Sequence, residues 1–140
     1  MFFCLRRNEK SETHMDNRLF GFLLDDDIQL DIANKRLVCY RAETSEDAMF
    51  FKVVTLNDVQ LRLLLLLLGS EPGAVVLKND ILDNVWEKSD TFPSNQKLWY
   101  LIKVLRNKLA SIGISESFIS NAHGVGYFLD GHNVAPMFVG

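Results

Sequence analysis

The sequence of 140 residues contains only two cysteines, three histidines and three prolines. Cys4 and Cys39 have no partner at a spacing typical of metal ligands, so the sequence predicts no metal site. We expect both thiols to behave as ordinary apolar or surface residues in a reducing compartment, without a functional disulfide. No serine or cysteine nucleophile has a placed base, and no carboxylate pair follows a pocket pattern, so we also expect no enzyme and no cofactor.

Long apolar runs are missing as well. The leucine run Leu63–Leu68 covers six residues, whereas a transmembrane helix needs about 20. The apolar start Met1–Leu5 comes before the charges of Arg6 and Arg7, which is the reverse of the order in a signal peptide. We therefore expect no membrane contact within this chain.

Positive charge is in deficit overall but concentrated locally. The chain has 15 Lys and Arg against 18 Asp and Glu, a formal net charge of −3. The stretch from Thr91 to Ser115 nevertheless holds four basic residues and no acidic one. Salt screens charges that are more than about 10 Å away, so this stretch can bind phosphate groups on a weakly acidic protein.

Short apolar segments separated by turn residues predict an antiparallel meander in the first part of the chain. An acidic loop, residues 42–49, separates its last two strands. A second pair of strands near the C-terminus forms a hairpin around Gly124 and Gly126, with His123 near its tip. The predicted strands are Phe20–Leu24, Ile28–Ile32, Arg36–Arg41, Phe50–Val54, Phe118–Asn121 and Tyr127–Leu129.

Three helices are predicted between the meander and the hairpin. The first begins at Asn57, where Gln60 completes a capping box, and ends at Gly69. The second covers about 78–87 and the third about 94–110. The third is amphipathic because its apolar side chains recur at helical spacing on one face: Leu98, Leu101, Ile102, Leu105 and Leu109.

The opposite face of the third helix carries side chains that hydrogen-bond to base edges or phosphates. Gln96, Tyr100, Lys103 and Asn107 point outward, and the flanking positions are Trp99, Arg106, Lys97 and Val104. Gln, Lys and Asn are residue types that read base edges in the major groove, and Arg106 and Lys108 can meet phosphates. The order of elements is that of a helix-turn-helix whose third helix enters the major groove.

Three sets of sequence stretches, taken together, are typical of one known family. They are 56–64 with 72–76, 81–86, and 104–109 with Phe118-Ile119 and Gly124-Val125-Gly126-Tyr127. Through them the chain resembles the winged helix-turn-helix effector domain of the OmpR/PhoB family. The likeness covers about residues 19–130, which leaves residues 1–18 and 131–140 as tails. It implies an α+β fold with an N-terminal four-stranded antiparallel sheet, three helices and a C-terminal β-hairpin wing.

The resemblance implies a bacterial, sequence-specific transcription regulator that binds double-stranded promoter DNA. The recognition helix, 94–110, would lie in the major groove, and the wing, 118–129, in the minor groove. Residues 88–94 are free to contact RNA polymerase, and binding as a homodimer or heterodimer on DNA is expected. The predicted DNA-binding residues are Gln96, Lys97, Trp99, Tyr100, Lys103, Arg106, Asn107 and His123.

Within the family, the sequence is most similar to the ToxR/CadC-type regulators. That similarity implies a cytoplasmic domain of a single-pass inner-membrane protein, with residues 131–140 leading toward a span. An alternative is a degenerate winged helix that acts as a protein–protein interaction module. The acidic net charge, the aromatic pair Trp99 and Tyr100, and His123 where the family often has arginine favour this alternative.

Overall fold

The computed structural model describes residues 18–42, 49–71, 73–86, 94–130 and 134–139. The predictions made for residues 1–17, the acidic loop 43–48, the connector 88–93 and residues 131–133 lie outside this part. Within these ranges, eight strands and three α-helices follow each other in the order β1 Arg18–Leu24, β2 Ile28–Asp31, β3 Arg36–Ala42, β4 Met49–Thr55, α1 Asp58–Leu68, β5 Val76–Leu77, α2 Lys78–Val85, α3 Asn95–Ser111, a short 3-10 helix Glu116–Phe118, β6 Ile119–Asn121, β7 Gly126–Leu129 and β8 Val134–Val139.

The N-terminal meander forms the predicted antiparallel sheet, but with an additional fifth strand. The strand order is β4-β3-β2-β1-β8, and Phe22 and Leu24 on β1 lie opposite Pro136 and Val134 on β8. The prediction of a tail over 131–140 is therefore wrong for residues 134–139. Pro136 fits this position because β8 is an edge strand, and an edge strand tolerates proline since one side of its backbone has no partner.

The hydrophobic core lies between this sheet and the three helices. Residues of β1, β2 and β3 alternate along each strand, so that every second side chain points toward the helices. Cys39 is among them and is fully buried, in agreement with the apolar role expected of it. The fully buried large side chains are Leu24, Ile28, Leu30, Leu37, Leu63, Leu64, Ile81, Leu98, Ile102, Leu105, Leu109 and Ile119.

Helix α1 begins as the sequence predicts. The Asn57 side chain accepts a hydrogen bond from the Gln60 backbone N–H at 2.8 Å, and the Gln60 side chain accepts one from the Asn57 N–H at 3.0 Å. This capping box satisfies two donors that the first turn would otherwise leave without a partner. No helix in the described residues is long and apolar enough to cross a membrane.

Helix α2 is two residues shorter than predicted and has no side-chain cap at Leu77. It ends at Val85 because Trp86 has extended backbone angles. The Val85 carbonyl, left free by the end of the helix, accepts a hydrogen bond from Nε of Arg62 at 2.6 Å. A cationic donor at a helix C-terminus is favourable, and here it fixes α2 against α1.

The wing is a three-stranded sheet in the order β5-β7-β6. The two-residue strand β5 was not predicted, because two residues carry no readable periodicity. At the tip, the Val125 N–H donates to the Ala122 carbonyl at 2.9 Å, and His123 and Gly124 both have positive φ, 49° and 81°. Positive φ at both central residues is typical of a type I′ hairpin turn, so His123 lies at the tip as predicted.

Candidate nucleic-acid interface

Helix α3 has one face in the core and one face open to solvent. Leu98, Ile102, Leu105 and Leu109 are almost completely buried, and Leu101 is buried too. This confirms the predicted apolar face, while the observed helix, Asn95–Ser111, is shifted by one residue from the predicted range. The core contact of this face fixes the rotation of α3 and so determines which side chains face outward.

The outward face presents most of the predicted DNA-binding side chains. Six of the eight predicted residues are exposed on α3, and the aromatic pair is the most prominent, with Trp99 58% and Tyr100 62% exposed. None of this face is covered by the described residues of the chain. The six are Gln96, Lys97, Trp99, Tyr100, Lys103 and Asn107.

The first turn of α3 is ordered by its cap. The Ser94 hydroxyl accepts a hydrogen bond from the Lys97 backbone N–H at 3.1 Å. Serine is among the preferred N-cap residues because this bond satisfies a donor at the helix start. Gln96 and Lys97 thus lie in the first turn of a capped helix. The dipole of a helix favours phosphate at this end.

Trp99 and Lys103 form a pair in the middle of the exposed face. Nζ of Lys103 lies 5.3 Å from the centre of the Trp99 ring. Residues four apart on a helix are neighbours, and an ammonium above an indole ring is attracted by the ring quadrupole. The pair places an apolar surface and a positive charge side by side, the combination suited to a thymine methyl next to a phosphate or guanine.

Arg106 is the predicted site residue that the structure uses differently. Its guanidinium is half-buried and donates two hydrogen bonds to the Ile119 carbonyl at the start of the wing. Lys108 is likewise turned inward, where Nζ donates to the Thr55 carbonyl at 2.8 Å and to Oε1 of Gln60 at 2.9 Å. The phosphate contacts expected of Arg106 and Lys108 thus compete with internal acceptors that helical periodicity could not reveal.

The wing tip is exposed but weakly charged. His123, Gly124 and Val125 are all exposed, and the Gly124 N–H donates to Oδ1 of Asn121 at 3.2 Å. No Lys or Arg lies between Ile119 and Leu129. The exposed His123 therefore stands at the tip of a hairpin without lysine or arginine.

Glu116 is a functional candidate that sequence reasoning missed. It lines a surface cleft of about 310 Å³ together with Trp99, Lys103, Arg106 and Asn107. A carboxylate at this position repels phosphate, because like charges that share a cleft raise each other's energy. Since Glu116 follows α3 by five residues, only the fold brings it beside the recognition face.

Comparisons with known proteins give a family for the sequence and a solved structure of similar fold. Residues 52–129 match the protein family described as "Transcriptional regulatory protein, C terminal". A solved structure, the DNA-binding domain of response regulator AdeR in complex with an intercistronic region, is similar with a TM-score of 0.55 at 18% sequence identity. The similarity covers 78% of this chain and 99% of that chain. No curated protein matches the sequence.

These findings identify the class of the protein: it is an α+β winged helix. The family match covers more than half of the chain, so the chain belongs to the OmpR/PhoB-type family of transcriptional regulatory protein C-terminal domains. It is a DNA-binding transcription regulator. The family is of the DNA-binding type and is generally non-enzymatic, and three ligating side chains do not come together as a metal site anywhere in the described residues.

Proposed function

We propose that the chain binds promoter DNA sequence-specifically, with the outer face of α3 in the major groove and the wing in the neighbouring minor groove. The observation that carries the proposal is the exposed face of α3, on which amide, amine and aromatic side chains stand opposite a row of buried leucines. The face contains no acidic residue of the helix itself. Gln96 and Asn107 supply donors and acceptors for base edges, and Lys97 and Lys103 supply charge.

The base contacts and the phosphate contacts of this face differ in their dependence on salt. Each phosphate neutralised by a lysine releases counterions, so the affinity falls as salt rises, with a slope of about −0.9 per contact in a double-logarithmic plot. Base-edge contacts change the preference for one sequence but hardly affect this slope. The proposal therefore predicts two separable classes of variants on one helix face.

The test is a salt titration of binding to a duplex that the full chain enriches from a random library. We expect Lys103→Ala to weaken binding about equally for all sequences and to reduce the salt slope by about one. We expect Gln96→Ala to relax the sequence preference at one position and to leave the slope unchanged. Lys35→Ala is the matched control, since Lys35 lies in the turn between β2 and β3 and pairs with Asp58. Equal affinity of Lys103→Ala and the parent would remove Lys103 from the site, and enrichment of no duplex would contradict the proposal as a whole.

Three further parts of the proposal rest on the sequence resemblance. The chain acts as a ToxR/CadC-type regulator whose DNA-binding domain is cytoplasmic and tethered to the inner membrane. Residues 88–94 contact RNA polymerase, and two copies, or this chain and a related one, bind adjacent half-sites. Fractionation of cells that express the complete gene product tests the tether, and the stoichiometry on the selected duplex tests the pairing.

A second candidate function is a protein-interaction module, favoured by the exposed aromatic pair Trp99 and Tyr100. Tyrosine and tryptophan are enriched in protein interfaces. These rings border an open groove of about 1000 Å³ whose walls also include Val59, Trp86 and Val104. Absence of DNA binding at low salt, together with Trp99-dependent binding to a regulatory protein, would select this function over the first.

A further inference from the structure

Arg106 makes a two-pronged contact from the recognition helix to the wing. Nε lies 2.9 Å and Nη2 lies 2.6 Å from the carbonyl oxygen of Ile119. The planar guanidinium holds its donors in a fixed fork, so two bonds to one acceptor define an orientation as well as a distance. A lysine ammonium at the same place is a point donor without a fixed plane.

The Ile119 carbonyl is available because of the register of the hairpin. The Asp130 N–H donates to the Phe118 carbonyl at 2.8 Å, and the Ala122 N–H donates to the Gly126 carbonyl at 2.8 Å. In an antiparallel ladder these bonds flank residues whose own N–H and C=O point away from the partner strand. Ile119 is such a residue, opposite Leu129, so its carbonyl points to the outer edge of β6.

On that edge the guanidinium donates the hydrogen bonds that a neighbouring strand would otherwise supply to the Ile119 carbonyl. Strand β6 is the last strand of its sheet in the described residues, and Ile119 is fully buried. On the other edge of the hairpin, β5 pairs with β7, and the Lys78 N–H donates to the Val125 carbonyl at 3.1 Å. The hairpin is thus held from α2 and β5 on one side and from α3 on the other.

We propose that Arg106 is a positioning residue that locks the wing to the recognition helix, so that the two grooves of a DNA duplex are engaged as one unit. The inference rests on the proposed DNA-binding function and assigns Arg106 a role other than contact with phosphate. Loss of the fork leaves α3 seated by its buried leucines but releases the β6 edge. The wing is still held by β5 and by its buried Ile119, but it loses its fixed orientation relative to α3, while the major-groove contacts of α3 persist.

The test uses the full chain and the duplex selected from a random library, with Arg106→Met and Arg106→Lys compared with the parent. Methylation protection at guanine N7 reports the major groove, and hydroxyl-radical protection reports the minor-groove flank. We expect Arg106→Met to keep the N7 protection, to lose the flanking minor-groove protection and to bind about tenfold more weakly. We expect Arg106→Lys to be intermediate. In the free protein, the amide protons of Gly124 and Val125 should exchange faster in Arg106→Met.

A double-mutant cycle with His123→Ala separates positioning from direct contact. If Arg106 acts through the wing, His123→Ala adds little once Arg106 is replaced. Additive losses, or loss of both protections in a variant that still melts cooperatively near the parent's temperature, would overturn the proposal. If Arg106→Met does not fold at the assay temperature, the proposal is tested on Arg106→Lys instead, by its minor-groove protection and by the amide exchange of Gly124 and Val125. Failure to select any duplex contradicts the DNA-binding function itself, whereas a selected duplex with additive losses contradicts only the role of Arg106.

Discussion

At Gly126 the fold has room for a hydrogen atom and no more. A Cβ built there would lie 2.0 Å from the Val76 carbonyl oxygen and 2.8 Å from the Val76 carbonyl carbon. These are backbone atoms of β5, so they cannot rotate away as a side chain does. The absence of a side chain at Gly126 therefore lets β5 and β7 approach closely enough to pair.

We predict that Gly126→Ala destabilises the protein by about 2–3 kcal/mol, the upper part of the usual cost of forcing extra atoms into a packed site, because the clash is with backbone atoms. Urea denaturation measures the change in the free energy of unfolding. Gly124→Ala is the matched control, because nothing lies within 4 Å of its Cβ and only its φ of 81° opposes a side chain. We expect that variant to lose about 1 kcal/mol. Equal losses in the two variants would refute the close-approach argument.

Two carboxylates, the half-buried Asp31 and the exposed Asp58, predict how stability depends on pH. The side-chain hydrogen bond from Asn34 lowers the pKa of Asp31, and the hydrogen bond and charge of Lys35 lower the pKa of Asp58. Both folded carboxylates therefore bind protons less readily than in the unfolded chain. Their contribution to stability is present above the ordinary aspartate pKa of about 3.9 and is lost as the pH falls through the lower folded values.

We expect the urea midpoint to fall as the pH drops below about 4, where the unfolded chain binds protons at these carboxylates more readily than the folded protein does. In the double variant Asp31→Asn, Asp58→Asn the fall should be smaller. Added salt should reduce the contribution of Asp58, because its pair with Lys35 is solvent-exposed. A midpoint that stays constant or rises as the pH is lowered would show that the carboxylates do not stabilise the folded state.

At the scale of elements, helix α3 has one face packed in the core and one face exposed to solvent. Leu105 is fully buried on one face and Lys103 is exposed on the other. We predict that Leu105→Ala costs about 2–5 kcal/mol of stability, because a cavity remains in a packed core. Lys103→Ala should change stability by less than about 0.5 kcal/mol and act on DNA binding alone. Similar effects of both substitutions on the melting temperature would contradict the assignment of the faces.

The sequence predicted α3 and the meander well because hydrophobic periodicity there reflects burial on one side. The same signal is absent from β5, which has two residues, and is interrupted in β8 by Pro136. Strand β8 forms because β1 offers an edge that local sequence cannot show. The wing hairpin was predictable because Gly124 at its tip permits the turn geometry, whereas Gly126 lies in β7 and serves the close approach to β5.

The candidate site was predictable for its helix face and less so for its cations. Exposure of Lys103 and Asn107 follows from helical spacing alone. The inward turn of Arg106 depends on the carbonyl of Ile119, 13 residues further along the chain, and that of Lys108 on the carbonyl of Thr55, 53 residues earlier. No pattern within α3 itself reveals these acceptors. Long basic side chains thus need the tertiary structure before they can be assigned to phosphate.

For the whole molecule, electrostatics must explain how a chain of net charge −3 approaches DNA. Helix α3 contains no acidic residue, but Glu116, which follows it, lines the cleft beside Lys103 and Asn107. A pair of unit charges about 4 Å apart in water is worth about 1 kcal/mol. We therefore expect the local field at α3, rather than the total charge, to set the affinity for a duplex.

We predict that Glu116→Gln strengthens binding to the selected duplex by up to about tenfold at low salt, and by less at high salt, because it removes a repulsive charge. Fluorescence anisotropy at two salt concentrations measures the effect. Glu71→Gln is the control, since Glu71 is an exposed acid in the loop after α1. An equal gain in both variants would attribute the effect to net charge and not to the cleft.

The most direct measurement is an NMR titration of the isotope-labelled chain with the selected duplex. We expect the largest amide shift changes in α3 at positions 96–107 and at the wing tip, residues 121–125, and little change in the strands β2 and β3. Changes confined to the N-terminal sheet, or binding that leaves the amides of α3 unaffected, would contradict the claim that this helix face meets DNA.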